Sequence, residues 1–422
     1  MTALGATVAA ARTDFAAALR SDARFLGHAS VFWSLLVRGA VLLMFTLGIY
    51  RFWLTTDVRR FLWANTELLG IPFEYVGTAR ELLLGFLIAI AILVPLNTAL
   101  FLVALAYGDM TGFLLSVLLL AALGHYAIYR ARRYRLTRTV YRGVRFNQAG
   151  SAWRYAICAM FWWSLIIVTL GLAYPFAQSQ LERFKMANTS FGDLPGRFEG
   201  SGSRLFIRGI PMWFVAVVPF IAGSIASIGA VEWTTVDAAG RSEEDALSWL
   251  ETSGLANAAI YAGLTLTWVV LSVVVFYPIF QTMVLRWWVS GLRFGEVIVT
   301  SRLRTAQVYG VYGRFLCYAF LFTLLVAVLA TVAAFALPNL LKAEHTTLSE
   351  IIATAALVAA YVIAALGYST IYQATVRLGL WRCVTESVEI GGTAALDKVS
   401  AGGEASSPVG EGLADALNVG GL

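Results

Sequence analysis

The chain has 422 residues, of which 59% are hydrophobic and 13% are charged, and its formal net charge is +6. Soluble globular proteins carry about 25% charged residues, so this composition excludes a water-soluble domain and predicts a protein embedded in a membrane. Residues 1–29 mix arginine and aspartate with alanine and lack the uninterrupted apolar core of a secretory signal. We interpret them as a cytoplasmic N-terminal segment.

Eight apolar runs follow this segment, each close to the length of about 20 residues that crosses the hydrocarbon core of a bilayer. The runs cover residues 31–54, 82–107, 110–129, 153–178, 209–231, 255–284, 314–337 and 350–376. We assign them to one repeated membrane domain over residues 30–390. Residues 391–422 form a Gly/Ala-rich C-terminal tail.

A polar sequence recurs in register beside the apolar runs. Its members are Arg59, Arg60, Phe61, Thr66, Gly70, Phe73, Gly77, Thr78 and Ala79, repeated as Arg132, Arg133, Tyr134, Thr139, Gly143, Phe146, Gly150, Ser151 and Ala152. A third copy begins at Arg183, and looser copies begin at Arg286 and Arg382. Self-similarity of this kind is the signature of an internally repeated protein.

In each copy, strand-prone residues lie on both sides of a glycine, as in a β-hairpin. We predict hairpins near 65–78, 138–151, 188–203 and 288–300. Because an isolated hairpin is only marginally stable in water, we expect them to associate under the helices; the alternative is four separate interfacial loops. The predicted fold is therefore a polytopic α-helical membrane protein with internal repeats and short cytoplasmic β-hairpins between helices.

Basic residues mark the cytoplasmic side of a membrane protein. Residues 130–154 hold eight arginines and no acidic residue, whereas 232–254 is mainly acidic. The run 153–178 has basic loops at both ends. Either it and the run 31–54 are re-entrant or interfacial helices, or it spans and leaves one basic loop outside. Its tryptophans and tyrosine favour six full crossings and two partial ones, with the basic loops and the C-terminus cytoplasmic.

The arginines at the helix ends are candidate ligands for anionic lipid headgroups. They are Arg59, Arg60, Arg132, Arg133, Arg138, Arg142, Arg183 and Arg286. The alternative is that they only fix the orientation of the chain. Pro95, Asn97 and Arg38 are candidate cavity-lining residues within apolar runs, although a proline kink is commonly structural.

Catalytic groups are scarce in the sequence. The three histidines, His28, His125 and His345, have none of the spacings of a metal site, and no phosphate-binding glycine loop with lysine occurs. Carboxylates are nearly absent from the interior of the apolar runs, which disfavours transport of protons or cations. We predict no catalytic residue, no metal, no cofactor and no nucleic-acid partner.

Several phrases resemble a known family. They are Thr46-Leu47-Gly48-Ile49-Tyr50, Arg138-Thr139, Gly150-Ser151-Ala152, Thr169-Leu170-Gly171 and Val376-Arg377-Leu378. The chain resembles the YjgN-like family of bacterial inner-membrane proteins over about 25–390, although Ala365-Leu366-Gly367 replaces Thr-Leu-Gly in the last third. The resemblance implies an inner-membrane location and supplies no reaction, ligand or catalytic residue.

The first functional hypothesis is a non-enzymatic channel, carrier or lipid-handling scaffold in contact with anionic lipids. A second is a membrane enzyme acting on a lipid-linked substrate, with Glu67, Glu74, Asp193 and Glu199 as candidate bases. A third is an adaptor for an envelope protease or another membrane protein, with the tail as its handle. The sequence specifies neither a ligand nor an oligomeric state.

Overall fold

The computed structural model describes residues 23–232, 254–341, 347–400 and residue 415. Most of the predicted segment 1–29, the predicted outside loop 232–254 and most of the tail 391–422 therefore lie outside the described residues. The helices are α1 Ala29–Phe45, α2 Arg51–Ala64, α3 Ala79–Tyr107, α4 Asp109–Thr137, α5 Ala152–Val168, α6 Tyr174–Ala187, α7 Gly202–Gly229, α8 Leu255–Gly291, α9 Thr305–Leu341, α10 Thr347–Tyr372 and α11 Leu378–Glu386. The π-helical turn Gln373–Arg377 joins α10 to α11.

Six of the described helices are long and apolar enough to cross a bilayer: α3, α4, α7, α8, α9 and the continuous helix from α10 to α11. The chain is therefore a helical, multi-pass membrane protein. The first and fourth apolar runs form α1 and α5, which have 17 residues each and are shorter than the crossing length of about 20. By length, these two helices match the alternative of six full and two partial crossings.

Helices α1 and α5 each end at a Thr-Leu-Gly sequence that turns the chain back. Leu47 and Gly48 have φ angles of +48° and +89°, and Leu170 and Gly171 have nearly the same values, +50° and +93°. A leucine at positive φ is uncommon because its Cβ meets the backbone. The predicted runs 31–54 and 153–178 therefore do not each correspond to one helix, because each run contains a helix break.

The chain reverses at these breaks and forms two helical hairpins. The ring of Phe32 on α1 lies 5.1 Å from that of Phe61 on α2, and Tyr155 on α5 lies 5.8 Å from Phe184 on α6. Each pair combines a residue near the start of one helix with one near the end of the next, so the two helices are antiparallel. Both ends of each hairpin are consequently on the same side of the fold.

The helices form a closed ring. The hairpin α1–α2 packs on α3, and each helix from α3 to α9 contacts the next helix in sequence. The ring closes where α10 packs against α1. The interior of this ring is thus bordered by residues that are distant in sequence.

The strands form two antiparallel sheets in sequence order, β1-β2-β3 and β4 to β11. They are β1 Ala23–Phe25, β2 Thr66–Leu68, β3 Ile71–Pro72, β4 Glu74–Tyr75, β5 Thr139–Tyr141, β6 Val144–Gln148, β7 Thr189–Phe191, β8 Leu194–Phe198, β9 Leu292–Phe294, β10 Val297–Ser301 and β11 Val388–Gly391. Gly143, at a φ of +77°, makes the tight turn between β5 and β6. The strands predicted near 288–300 begin later because α8 stays helical to Gly291.

Strands β1–β11, which together we call the strand layer, lie on one side of the ring, where five helices end. Helices α2, α4, α6, α8 and α11 each lead within two residues into a strand. The C-terminal end of a helix carries a partial negative charge, which stabilises a nearby cation. The strand layer therefore brings together five positions at which arginine or lysine is favoured.

We predict that replacing Gly48 by alanine lowers the free energy of unfolding by about 1 to 2 kcal/mol, because alanine at positive φ is strained. Nothing lies within 4 Å of the added Cβ, so backbone strain is the sole cost. Thermal unfolding in detergent measures the effect.

The matched control is Gly124→Ala in α4, where the Cβ also meets open space but the backbone is helical. This variant should be as stable as the parent chain or more so. Equal losses of stability in both variants would show that backbone strain at Gly48 is not the cause.

Candidate functional site

Five cations converge inside the ring, close to the strand layer. They are Arg59 on α2, Arg132 and Arg135 on α4, Lys185 on α6 and Arg377 in the π-helical turn, and we call them the cationic cluster. Their charges interact along a chain that runs from Arg377 through Arg59, Arg135 and Arg132 to Lys185. Helix geometry explains this in part, since Arg59, Arg132, Arg135 and Lys185 lie in the last turns of helices that end at the strands.

The carboxylate of Asp415 pairs with two of these cations. Arg59 Nη2 donates to Asp415 Oδ1 at 3.0 Å, and Arg59 Nη1 contacts the second oxygen. Arg135 Nη1 lies 3.7 Å from Oδ1. The Asp415 side chain is only 1% exposed. A residue from the C-terminal tail thus sits inside the ring of helices.

Glu182 provides a second carboxylate at the cluster. It forms an ion pair with Lys185 one turn later on α6 and accepts a hydrogen bond from Trp288 Nε1 at 3.1 Å. It also interacts with the charge of Arg132. The cluster is therefore anchored on α6 and α8 as well as on α2 and α4.

Among the described residues, the cluster holds more positive than negative charge. In that part of the chain, five cations face the carboxylates of Asp415 and Glu182. Within the described ranges, Arg132 Nη1 and Arg377 Nε are buried without a hydrogen-bond partner. Buried charges are costly unless they are paired, so this excess favours binding of a further anion.

The surroundings keep Arg59 charged. Burial lowers the pKa of its guanidinium, but Tyr75 and Asp415 raise that pKa by more, and the net shift is upward. The Tyr75 hydroxyl accepts a hydrogen bond from Arg59 Nη1 at 3.0 Å. Burial has the opposite net effect on Lys185, whose pKa it lowers despite the favourable charge of Glu182.

An apolar cavity of about 410 Å³ lies between the strand layer and the cationic cluster. Trp63, Leu136 and Trp381 line it, and each follows a cluster cation by four residues, one helical turn closer to the strands. The rings of Trp63 and Trp381 are 5.0 Å apart. The cationic cluster and the apolar cavity are therefore adjacent along the interior of the ring.

A second site, the arginine pocket, lies between the start of α7 and the end of α8. It has a volume of about 380 Å³ and is lined by Arg204, Arg208 and Arg286 together with the ion pair of Glu199 and Arg293. The three arginines are exposed and have no ion pair or side-chain hydrogen bond within the described part of the chain. They are free to bind an anion from outside.

The arginines predicted as binding residues separate into different environments. Arg59 and Arg132 belong to the cationic cluster, and Arg286 belongs to the arginine pocket. Arg138 is engaged with Glu81, at 3.2 Å between Nε and Oε2. Those four residues are the ones that the structure places in charged sites near the helix ends.

The remaining four arginines lie elsewhere. Arg60 donates to the carbonyl of Gly77 at 3.1 Å, and Arg142 pairs with Asp397 at 2.6 Å. Arg183 is exposed on α6, and Arg133 is half-buried near the end of α4. Adjacent arginines on a helix point in different directions, which is why Arg132 and Arg133 do not share a site.

Pro95 and Asn97 on α3 and Arg38 on α1 are exposed. The Asn97 amide donates to the carbonyl of Leu93 at 2.9 Å, so the helix itself satisfies it. None of the three lines a cavity described above.

Sequence reasoning missed several members of the two sites. They are Arg135, Glu182, Lys185, Arg377 and Asp415 in the cluster, and Arg204 and Arg208 in the pocket. A local signal existed for Arg135, because it follows Arg132 by three residues and residues three apart share a helix face. Asp415 had no such signal, because its position depends on where the tail returns to the ring.

Of the four candidate bases, Glu74 and Asp193 are exposed. Glu199 is occupied by its ion pair with Arg293, and Glu67 lies at the apolar cavity. Within the described ranges, no group of three histidine, cysteine or acidic side chains is close enough to hold a metal ion.

We predict that Glu182→Gln lowers the free energy of unfolding by about 3 kcal/mol, because it leaves Lys185 and Arg132 buried without their counter-charge. Glutamine keeps an oxygen that accepts the hydrogen bond from Trp288 Nε1, so the variant removes the negative charge but not this bond. Thermal unfolding followed by tryptophan fluorescence in detergent measures the effect.

Glu386→Gln is the control, since it breaks an exposed pair with Arg382 and should cost less than about 1 kcal/mol. A loss for Glu182→Gln no larger than for this control would refute the role of Glu182.

Comparison with known proteins gives a family but no activity. Residues 20–416 match the model of a family described as a bacterial protein of unknown function, DUF898. The YjgN-like family is this family, so the resemblance noted in the sequence is confirmed. Neither the curated proteins nor the solved structures yielded a match. Because the match covers nearly the whole chain, the protein belongs to the DUF898 family of bacterial proteins of unknown function.

Proposed function

We propose that this protein is a non-enzymatic lipid-handling protein of the bacterial inner membrane that holds anionic phospholipid headgroups. The observation that carries the proposal is the arginine pocket formed by Arg204, Arg208 and Arg286. Guanidinium groups bind phosphate oxygens through paired, charge-assisted hydrogen bonds. A pocket with three such groups, which have no protein partner among the described residues, suits a phosphate-bearing ligand.

The position of the pocket supports a lipid ligand. Arg204 and Arg208 lie in the first turns of the apolar helix α7, and Arg286 lies in the last turns of α8. These are the points at which spanning helices leave the hydrocarbon and meet headgroups. Each basic residue near an anionic membrane surface contributes about 1 kcal/mol of attraction, so three act together.

The proposal includes an orientation. The strand layer and the basic helix ends face the cytoplasm, in accord with the bias of arginine and lysine to that side. The hairpins α1–α2 and α5–α6 then enter the membrane and return to the cytoplasmic side. Their matching Thr-Leu-Gly turns support an origin by internal duplication.

Lipid handling accounts for the structure better than the other two hypotheses. An enzyme needs a base directed at the bound phosphate, but Glu199 in the pocket is paired with Arg293. An adaptor needs its tail available, but Asp415 is buried in the cationic cluster. Envelope proteases and other membrane proteins remain proposed partners.

We predict that the double variant Arg208→Gln/Arg286→Gln retains phosphatidylglycerol at least tenfold more weakly than the parent chain. The reason is the loss of two charge-assisted contacts, each worth roughly 1.5 kcal/mol or more. Native mass spectrometry of the detergent-solubilised protein titrated with phosphatidylglycerol or phosphatidylcholine measures the effect.

Binding of phosphatidylcholine should change much less, because its choline cation offsets the charge of its phosphate. Arg183→Gln is the control, since Arg183 is equally exposed but lies outside the pocket. The proposal fails if the double variant keeps its lipid, or if Arg183→Gln loses as much.

A further inference from the structure

We infer that the cationic cluster is a second anion-binding site, which takes a phosphate group in place of the Asp415 carboxylate. This site shares no residue with the arginine pocket, and the inference does not rest on the proposed lipid function. It assigns a ligand class to the interior of the helix ring and a role to the tail.

The contacts of Asp415 are those of a bound ligand. Both of its oxygens meet Arg59, and one of them also faces Arg135. Two nearly parallel N–H···O contacts to one guanidinium are also the arrangement in which arginine binds phosphate. The carboxylate thus occupies the place that a phosphate group would take.

Asp415 satisfies the cluster incompletely. It brings one negative charge, and Arg132 Nη1 and Arg377 Nε are buried without a hydrogen-bond partner in the described part of the chain. A phosphate monoester carries a charge of about −1.5 to −2 at neutral pH and has three acceptor oxygens. It can therefore neutralise the cluster better than one carboxylate, and the two compete for the same cations.

Asp397 and Ser400 contact two turns of the strand layer. Asp397 pairs with Arg142 in the turn between β5 and β6. The amide of Ser400 donates to Asp193 Oδ1 at 3.3 Å in the next turn. Both contacts lie outside the cationic cluster.

The apolar cavity next to the cluster bears on the source of the phosphate. Trp63 and Trp381 line that cavity one helical turn from Arg59 and Arg377. A phosphate carried on a lipid would gain from apolar contact there, whereas inorganic phosphate would use the cations alone. Comparison of the two probes therefore separates a lipid phosphate from a free one.

The test is the full-length variant Asp415→Asn in detergent, titrated with inorganic phosphate and, separately, with a short-chain phosphatidic acid. We expect at least one probe to bind tenfold or more tightly than to the parent chain. A gain for phosphatidic acid alone assigns a lipid phosphate, and a gain for both assigns the phosphate group itself. Adding Arg59→Gln should abolish either gain.

Asp397→Asn is the matched control, because it removes another tail carboxylate that pairs with an arginine outside the cluster. It should bind both probes as the parent chain does. A chain ending at Ser400 provides a second way to empty the site if Asp415→Asn does not fold. The inference is overturned if neither variant gains affinity, or if Asp397→Asn gains as much.

Discussion

The structure depends on the burial of like charges where helix ends converge. Five helices lead into the strand layer, and α2, α4, α6 and the π-helical turn before α11 place arginine and lysine side chains inside the ring. The helix dipoles lessen the cost of this arrangement, but five neighbouring cations still repel one another. Glu182 supplies one counter-charge from the membrane domain, and Asp415 supplies another from the tail. The fold is thus completed by a residue far from the cluster in sequence.

The strand layer fixes the positions of the helices through side chains as well as backbone. Trp63 at the end of α2 donates to Thr139 on β5 at 2.9 Å, and Trp381 on α11 donates to Thr66 on β2 at the same distance. These bonds join the beginning, middle and end of the chain. They also hold the walls of the apolar cavity, so the same contacts that orient the helices shape the space beneath the cationic cluster.

Much of the helical architecture could be predicted, because each crossing helix is encoded locally by a long apolar run. The breaks at Leu47 and Leu170 were harder to place, since leucine rarely adopts a positive φ. Arg59 and Arg132 were visible as a repeated pattern. Asp415 was not visible, because a single aspartate in a Gly/Ala-rich tail carries no periodic signal and its partners come from α2 and α4.

A double-mutant cycle between Arg59 and Asp415 tests the central claim most directly. The variants Arg59→Gln, Asp415→Asn and their combination are compared with the parent chain by thermal unfolding in the same detergent. If the two side chains neutralise each other inside the ring, the combined loss of stability will be clearly smaller than the sum of the single losses. Strictly additive losses would mean that the two residues act independently, and the tail would have no place in the cationic cluster.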